Sequence, residues 1–179
     1  EDTFIENDNI VNIFQIFNKY IVIEFSDERL WIVDQHAAAE RINFEKLSKG
    51  KENIDIQNYL VPIEVELKKD QLLFLDEYRK FFEDIGILYE IGDSNVKLKT
   101  VPVEFANSDF KRVFEEIFSL EEDVSILKKN IDKLRDDILA TIACHSSIRS
   151  GQKLPRDTML DLFYSLYKCD NQYSCPNGK

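Results

Sequence analysis

Short apolar runs separated by turn residues occupy the first part of the chain. β-Branched and aromatic residues dominate these runs, and the pair Asn18-Lys19 stands between the first two. Such runs predict β-strands. They cover residues 9–17, 20–25 and 30–34. The segment that follows predicts a helix from His36 to Ser48, ended by Gly50.

The rest of the chain combines one more extended run with apolar residues at helical spacing. A polar connector at residues 49–58 leads into the extended run at 59–67. Apolar residues then recur at helical spacing and predict a helix over residues 68–86 that ends at Gly86. A β-hairpin at residues 87–105, turning at residues 92–95, follows it. Further helices are predicted over residues 109–120, within 124–150 and from Pro155 to Lys168.

This order of elements predicts the α+β class, with one subdomain interrupting another. Residues 1–62 and 138–179, from the two chain ends, are expected to form a subdomain with a mixed sheet and helices. Residues 63–137 are expected to form an inserted helical and hairpin subdomain. A chain of 179 residues is long enough for two small subdomains of this kind.

The composition predicts a globular protein with a hydrophobic core and a strongly negative net charge. Hydrophobic residues make up 44%, and no apolar run is long enough to predict a membrane span. With 23 basic and 34 acidic residues the net charge is −11, which argues against a large basic surface for nucleic acid. Three cysteines, an odd number, do not favour a disulfide scaffold and predict a cytoplasmic protein. The polar N-terminus predicts no signal peptide, and the lack of an initiating Met suggests a fragment of a longer protein.

The junction between the third strand and the first helix concentrates residues that bind divalent metals. Asp34 ends the strand, and His36 and Glu40 lie four residues apart on one helix face. Imidazole and carboxylate ligands suit zinc or manganese. An ordinary explanation also fits, in which Asp34 caps the helix and His36 forms an ion pair with Glu40. Glu45 points to nearly the opposite face from His36, where a structural salt bridge is expected.

Two cysteines add candidate ligands much later in the chain. Cys144 stands beside His145 in a helical stretch of apolar and small residues, where a buried cysteine is commonly inert packing. Adjacent residues on a helix point about 100° apart, so these two are not expected to serve one metal. Cys175 precedes Pro176 near the C-terminus, and the chemistry of such a loop thiol depends on its neighbours.

Three ordered motifs together resemble the C-terminal domain of the MutL family of DNA mismatch-repair proteins. The endonuclease signature of that family, D-Q-H-A-x2-E-x4-E, is matched from Asp34 to Glu45 at every fixed position. The stretch ACHSSIRSG resembles the family's Ala-Cys-Arg/His/Lys motif, and SCPNGK resembles its Cys-Pro-His-Gly-Arg-Pro motif. The three motifs extend over residues 34–178, which is most of the chain.

The resemblance implies a metal-dependent endonuclease that nicks double-stranded DNA. It implies catalytic roles for Asp34, His36, Glu40 and Glu45. The implied zinc or manganese ligands are Asp34, His36, Glu40, Cys144, Cys175 and Asn177. It implies no organic cofactor in this domain, since ATP is expected in an N-terminal part of the protein.

The resemblance also implies the partners. It implies a homodimer in bacteria, or a heterodimer in eukaryotes, held together by the subdomain built from the two chain ends. That subdomain would then be the dimerisation subdomain, and the inserted subdomain would be regulatory. The other implied partners are the sliding clamp, the mismatch-recognition protein MutS and double-stranded DNA, which this domain alone would bind weakly. No membrane partner is expected.

One residue departs from the family pattern. Asn177 stands where the third motif normally has histidine, and an amide oxygen is a weaker zinc ligand than imidazole. A dimerisation and scaffold module that keeps the motifs but cuts poorly is therefore a second interpretation. A metal-storage or regulatory domain is a third, which uses the same ligands but leaves the segment QNYLVP unexplained.

The segment QNYLVP, residues 57–62, resembles the sliding-clamp motif Q-x-x-[LI]-x-P of nicking MutL proteins. In an extended segment Gln57 offers hydrogen bonds, Leu60 offers an apolar anchor and Pro62 lowers the cost of ordering. An edge strand that contains a proline is the alternative. Docking on a clamp that encircles DNA would bring this acidic domain to a substrate that repels it.

Overall fold

The structure is a computed structural model of the chain and describes residues 9–50, 54–119, 131–145, 148 and 151–174. The chain divides into two compact units. The terminal unit combines residues 1–42 with residues 148–179, and the inserted unit comprises residues 43–147. In the part of the chain that the structure describes, every helix is too short or too polar to cross a lipid bilayer.

A three-stranded antiparallel sheet forms the centre of the terminal unit. Its strands are β1 (Ile10–Ile16), β2 (Tyr20–Phe25) and β3 (Leu30–Asp34), in that spatial order. The turn between β1 and β2 carries positive φ angles of 54° at Phe17 and 51° at Asn18. Consecutive left-handed residues of this kind match the right-handed twist of a hairpin.

The core of the terminal unit lies on one face of this sheet. Side chains alternate between the two faces of a strand, so Ile13, Ile23 and Val33 point to the same side and are buried. Helix α1 (Gln35–Ser48) contributes its alanines to this core, and helix α6 (Arg156–Tyr167) contributes larger apolar residues. The buried residues from these helices are Ala38, Ala39, Met159, Leu162, Phe163 and Leu166.

The inserted unit is built around a second antiparallel sheet, packed with helices. Its spatial strand order is β4, β6, β5, so the last two strands form a hairpin and β4 pairs with the far side of β6. The strands are β4 (Ile56–Glu66), β5 (Leu88–Ile91) and β6 (Asn95–Pro102). The helices are α2 (Lys69–Glu77), α3 (Arg79–Asp84), α4 (Phe110–Ser119) and α5 (Ile131–Cys144).

Aromatic residues fill the core of the inserted unit. Phe74, Phe82, Phe105, Phe110 and Phe114 are at most 2% exposed. Phe74 stacks on Tyr78, and Phe114 stacks on Phe118. The phenylalanine-rich segments are therefore core, as their helical spacing predicts.

The α+β class predicted from the sequence is confirmed, and two details differ. The described strands of the first sheet are all antiparallel, not mixed, because short turns join neighbouring strands and a parallel pair needs a long crossover. The helix predicted over residues 68–86 is two helices that meet at Tyr78, whose φ of −96° and ψ of 13° depart from helical values. Its ring stacks on Phe74, four residues earlier, which is a contact that helical spacing allows and that does not explain the break.

The unit boundaries fall between residues 42 and 43 and between 147 and 148. The sequence pattern placed the corresponding boundaries at 62/63 and 137/138. Two contacts account for the observed division. Strand β4 pairs with β6, and the C-terminal half of α5 buries Ile138 and Ile142 in the core of the inserted unit.

Candidate functional site

Asp34 caps the first helix at the junction with β3. Its Oδ1 accepts hydrogen bonds from the backbone N–H groups of His36, at 3.0 Å, and Ala37, at 3.2 Å. These amides lack partners within the helix, and a carboxylate is also favoured by the helix dipole at this end. Oδ2 lies 3.9 Å from Nζ of Lys19. The capping role considered for Asp34 is therefore present in the structure.

His36 and Glu40 face each other one helical turn apart. Nε2 of His36 lies 3.0 Å from Oε1 of Glu40, whose side chain is only 7% exposed. The opposite ring nitrogen, Nδ1, lies 3.3 Å from the carbonyl oxygen of Ile148, which can only accept. The roles of the two ring nitrogens depend on the tautomer, so Nε2 either donates to this carboxylate or turns a lone pair towards it. In the second case a cation between the two groups would stabilise the contact.

This pair fits part of a metal site. Zinc binds imidazole nitrogen and carboxylate oxygen at about 2.0–2.2 Å, so donor atoms 3.0 Å apart lie within the span of one ion. A backbone carbonyl near Nδ1 is a contact of the kind that orients histidines in metal sites. Among the described residues, however, no group of three or more His, Cys, Asp or Glu side chains is placed to hold a metal.

The remaining predicted ligands belong to the inserted unit or lie outside the described residues. Cys144 is half-buried at the end of α5 in the inserted unit. Cys175 and Asn177 lie outside the described residues. The structure thus brings His36 and Glu40 together beside Asp34, and the contribution of the three later residues stays a prediction.

Gln35, the second residue of the signature, is completely buried. The sequence pattern did not predict a structural role for it. Its side-chain amide donates to the carbonyl oxygens of Asn18, at 3.1 Å, and Gln152, at 3.0 Å. Its Oε1 accepts from Gln15, whose amide also donates to the Gln152 carbonyl at 2.8 Å. Gln35 therefore joins the start of α1 to the first hairpin turn and to the segment that precedes α6. The sequence does contain a signal for this role of Gln35. It is a polar residue at a helix position that faces the core.

Arg41, which follows Glu40, is a second residue that sequence reasoning missed. Its side chain is buried, and its Nε donates to the carbonyl oxygen of Ser174 at 2.7 Å. Ser174 is the last described residue and directly precedes Cys175. Arg41 therefore ties the start of the third motif to the helix that carries the first.

A cavity of about 510 Å³ lies beside this junction. Asp34, Ala37 and Arg41 line it from one side, and Tyr173 and Ser174 line it from the C-terminal segment. Trp31, at the base of the same cavity, contacts the rings of Tyr173 and Phe163. The terminal unit thus has an open, partly polar space between the first motif and the residues that lead into the third.

Glu45 and His145 make contacts typical of structural residues. Glu45 is buried, and its Oε2 lies 3.8 Å from Nζ of Lys49, which matches the salt bridge expected on that face. Nε2 of His145 lies 3.0 Å from Oε2 of Glu116. Burial raises the pKa of Glu116, but hydrogen bonds and charge from His145 and Arg112 outweigh it and lower this pKa below its ordinary value. The side chain of His145 is thus engaged with α4.

The segment with Gln57, Leu60 and Pro62 bulges out of strand β4. Asn58 pairs with Thr100 and Ile63 pairs with Leu98, so four residues of β4 face one residue of β6. Leu60 is 103% exposed and Val61 is 80% exposed. The amide of Gln57 donates to the carbonyl oxygen of Asn58 at 2.8 Å. The two predicted features, an extended segment and an accessible apolar anchor, are both present.

The outer face of the terminal sheet carries a group of apolar residues, of which Val22 is buried and its neighbours are exposed. By strand register Phe14, Val22 and Ile32 lie side by side across the three strands, on the face opposite the core. Phe14 is 42% exposed and Ile32 is 63% exposed. Leu30, on the same face, is 59% exposed. The outer face of an antiparallel sheet is commonly polar, so exposed apolar residues are unusual here.

Comparison with known proteins gives matches along nearly the whole chain. A family model described as "MutL C terminal dimerisation domain" matches residues 13–154. The DNA mismatch repair protein MutL of Dictyoglomus thermophilum is 36% identical over 171 residues, which cover 92% of this chain and 29% of that protein. The proteins of the same name from Caldanaerobacter subterraneus subsp. tengcongensis and from Staphylococcus aureus are 30% and 28% identical over 165 and 168 residues.

These two matches also cover 92% of this chain, and 28% and 25% of the two relatives respectively. The chain therefore spans less than a third of the length of these relatives. The family model alone covers more than half of the chain. The chain belongs to the MutL C-terminal dimerisation domain family.

Proposed function

We propose that this domain pairs with a second copy of itself and, with a divalent metal bound, nicks double-stranded DNA in mismatch repair. The observation that carries the nicking proposal is the contact between His36 and Glu40. A buried carboxylate faces an imidazole nitrogen at 3.0 Å, beside a helix start capped by Asp34. A buried carboxylate is stabilised by a positively charged partner, and a metal ion held between Glu40 and the imidazole, which is 37% exposed, would supply one.

Zinc or manganese bound here would supply a Lewis acid and an activated water for hydrolysis of a phosphodiester. His36 and Glu40 would hold it, with Asp34, Cys144 and Cys175 as the further predicted ligands and Asn177 as a weaker one. The carbonyl of Ile148 holds the ring of His36 so that Nε2 points to Glu40. The catalytic role predicted for Glu45 rests on the motif match alone, because its structural contact is with Lys49.

The test is nicking of supercoiled plasmid in the presence of manganese. Glu40→Lys places an ammonium group in the position of the buried carboxylate and should abolish manganese-stimulated nicking. Glu115→Lys makes the same charge change at an exposed position of α4 and should retain parental nicking. Circular dichroism and melting temperature would show that both variants fold. Equal nicking by the Glu40 variant and the parent would contradict the proposal, because the activity would then come from a contaminant.

A scaffold without nuclease activity is the second candidate function, and Asn177 is the residue that favours it. It predicts a stable dimer that retains no metal and does not cut. Metal analysis of the purified protein, alongside the plasmid assay, separates the two candidates. A dimer free of zinc and manganese that remains inactive after manganese is added would establish the scaffold.

The apolar outer face of the terminal sheet supports pairing with a second copy. Phe14, Val22 and Ile32 form a continuous strip on this face, with Leu30 beside it. A two-fold dimer uses the same patch on both subunits, so an apolar strip is complementary to itself. We assign the dimer contact to this face because the family is a dimerisation domain and Phe14, Ile32 and Leu30 are exposed in the single chain.

The bulge at residues 57–62 supports docking on a sliding clamp. Leu60 and Val61 are adjacent and exposed at 103% and 80%, so the bulge presents an apolar anchor that a clamp pocket could cover. Clamp docking would supply the DNA that a chain of net charge −11 does not attract. MutS and double-stranded DNA complete the proposed set of partners.

A further inference from the structure

The clamp-binding segment has one residue that points the opposite way from its neighbours. Along β4 every residue from Ile56 to Pro62 is exposed except Tyr59. Tyr59 packs against the hydrophobic core of the inserted unit, while Leu60 and Val61 stand in solvent. The bulge is therefore attached to the domain at its middle as well as at its two ends.

The attachment of Tyr59 is specific. Its hydroxyl donates to the carbonyl oxygen of Ala106 at 2.9 Å. Ala106 follows a short 3₁₀ turn at Val103–Phe105, and that turn is tied to the base of β4 because the N–H of Val103 donates to the carbonyl of Asp55 at 2.9 Å. Burial raises the pKa of the Tyr59 hydroxyl, so the group stays a proton donor through the neutral range. These contacts hold a loop of four residues that lies opposite a single residue of β6 and makes no ladder pairs with it.

We propose that Tyr59 is a positioning residue for the clamp motif, whose hydroxyl locks the bulge with Leu60 and Val61 presented outward. The proposal rests on the proposed docking of residues 57–62 on a sliding clamp. The physical reason is entropic. A bulge of four residues that is already ordered loses less conformational freedom on binding than a free peptide of the same sequence.

The competing explanation is that Tyr59 is only a core residue whose ring fills space. Tyr59→Phe separates the two because it keeps the ring and removes the bond to Ala106. Tyr78→Phe is the matched control, since Tyr78 is a half-buried tyrosine of the same unit whose ring also packs against the core. If the ring alone matters, both variants should behave like the parent.

The experiment measures binding of purified sliding clamp to the full 179-residue chain and to a synthetic peptide of residues 55–66. Each is prepared with Tyr and with Phe at position 59, and hydrogen exchange is measured at the amides of Leu60 and Val61. We expect Tyr59→Phe to weaken binding of the chain by about two- to tenfold, which is the range for one net hydrogen bond. We also expect faster exchange at the two amides. The two peptides should bind equally, because a free peptide has no Ala106 carbonyl to engage.

Three outcomes would overturn the proposal. Parental affinity and exchange in the Tyr59→Phe chain would show that the hydroxyl does not order the bulge. An equal loss in the peptide would show that Tyr59 touches the clamp directly. Failure of the parent chain itself to bind would remove the clamp function and the proposal with it. This last failure is distinguishable, because it affects the parent as well as the variant.

Discussion

Nε of Arg41 donates a hydrogen bond to the carbonyl oxygen of Ser174 at 2.7 Å, across 133 residues of sequence. The donor follows Glu40 on α1, and the acceptor precedes Cys175. A buried guanidinium that holds a backbone carbonyl is a strong, charge-assisted contact. It links the first and third motifs within the terminal unit.

Loss of this link should weaken metal binding without removing a ligand. Arg41→Met keeps most of the buried stem and removes the donors, so the segment that leads to Cys175 loses its anchor on α1. We expect zinc affinity to fall by about tenfold or more, as for other outer-shell contacts. Competition with a chromophoric chelator measures the affinity. Arg29→Met, which loses an ion pair with Asp27 in the same unit, is the control and should bind zinc like the parent.

Asn177→His should strengthen zinc binding. Imidazole nitrogen is a better zinc ligand than an amide oxygen, and histidine is the residue that the resemblance places at this position. The same competition assay measures the change, with Asn171→His as a control outside the motif. Zinc affinity that stays at the parental value would show that residue 177 is not a ligand.

Ile32→Asp should convert the dimer into a monomer. Ile32 is 63% exposed in the single chain, so the substitution should change the stability of the monomer by less than about 1 kcal/mol. In a two-fold dimer it would place a charge from each subunit in the apolar contact. Light scattering after gel filtration measures the mass. Leu73→Asp is the control, since Leu73 is 62% exposed on α2 and should leave the dimer intact. A parental mass for the Ile32 variant would move the contact to another surface.

Leu60→Ala should remove most of the binding to sliding clamp while leaving the fold unchanged. A leucine anchor in an apolar pocket commonly contributes about 2 kcal/mol or more, which is a loss of about thirtyfold in affinity. Because Leu60 is 103% exposed, its truncation should not lower the melting temperature. Surface plasmon resonance with immobilised clamp measures the effect, and Leu73→Ala is the control. Clamp affinity at the parental level would show that the segment is an ordinary edge strand.

The domain should lose stability at alkaline pH because of the buried hydroxyl of Tyr89. Its hydroxyl is buried and donates to the carbonyl of Leu75 at 2.7 Å, and burial raises its pKa. The folded state therefore holds a proton that the unfolded state releases near pH 10. The stability conferred by this group is complete below that pH and falls above it, by up to about 1.4 kcal/mol per pH unit.

Urea unfolding at pH 8.5 and 10.5 measures this dependence. Tyr89→Phe should be less stable than the parent at the lower pH by about 1 kcal/mol, because one hydrogen bond is lost, and should show a smaller fall between the two values. Tyr173→Phe, at a tyrosine that is 82% exposed, should keep the parental dependence. An unchanged slope in the Tyr89 variant would assign the alkaline effect to other groups.

Much of the local structure could be predicted because its causes are local. The hairpin at residues 88–102, the cap at Asp34 and the approach of His36 to Glu40 all follow from spacing and turn residues. The break at Tyr78 could not be predicted, because the apolar residues keep helical spacing on both sides of it. Arg41 and Ser174 could not be paired, because no periodic pattern extends across 133 residues.

The sequence by itself determined which segments are helices and strands, which faces are apolar and which three motifs the chain carries. These properties depend on side-chain periodicity, turn chemistry and residue identity, all of which are contained in short windows. Only the tertiary structure decided that β4 pairs with β6, that Gln35 is a buried junction residue and that Leu60 stands outward on a bulge. Each of these three features depends on hydrogen bonds between groups that are far apart in the sequence. A strand edge or a buried amide can bond to any partner with suitable geometry, and only the folded chain determines which partner lies next to it.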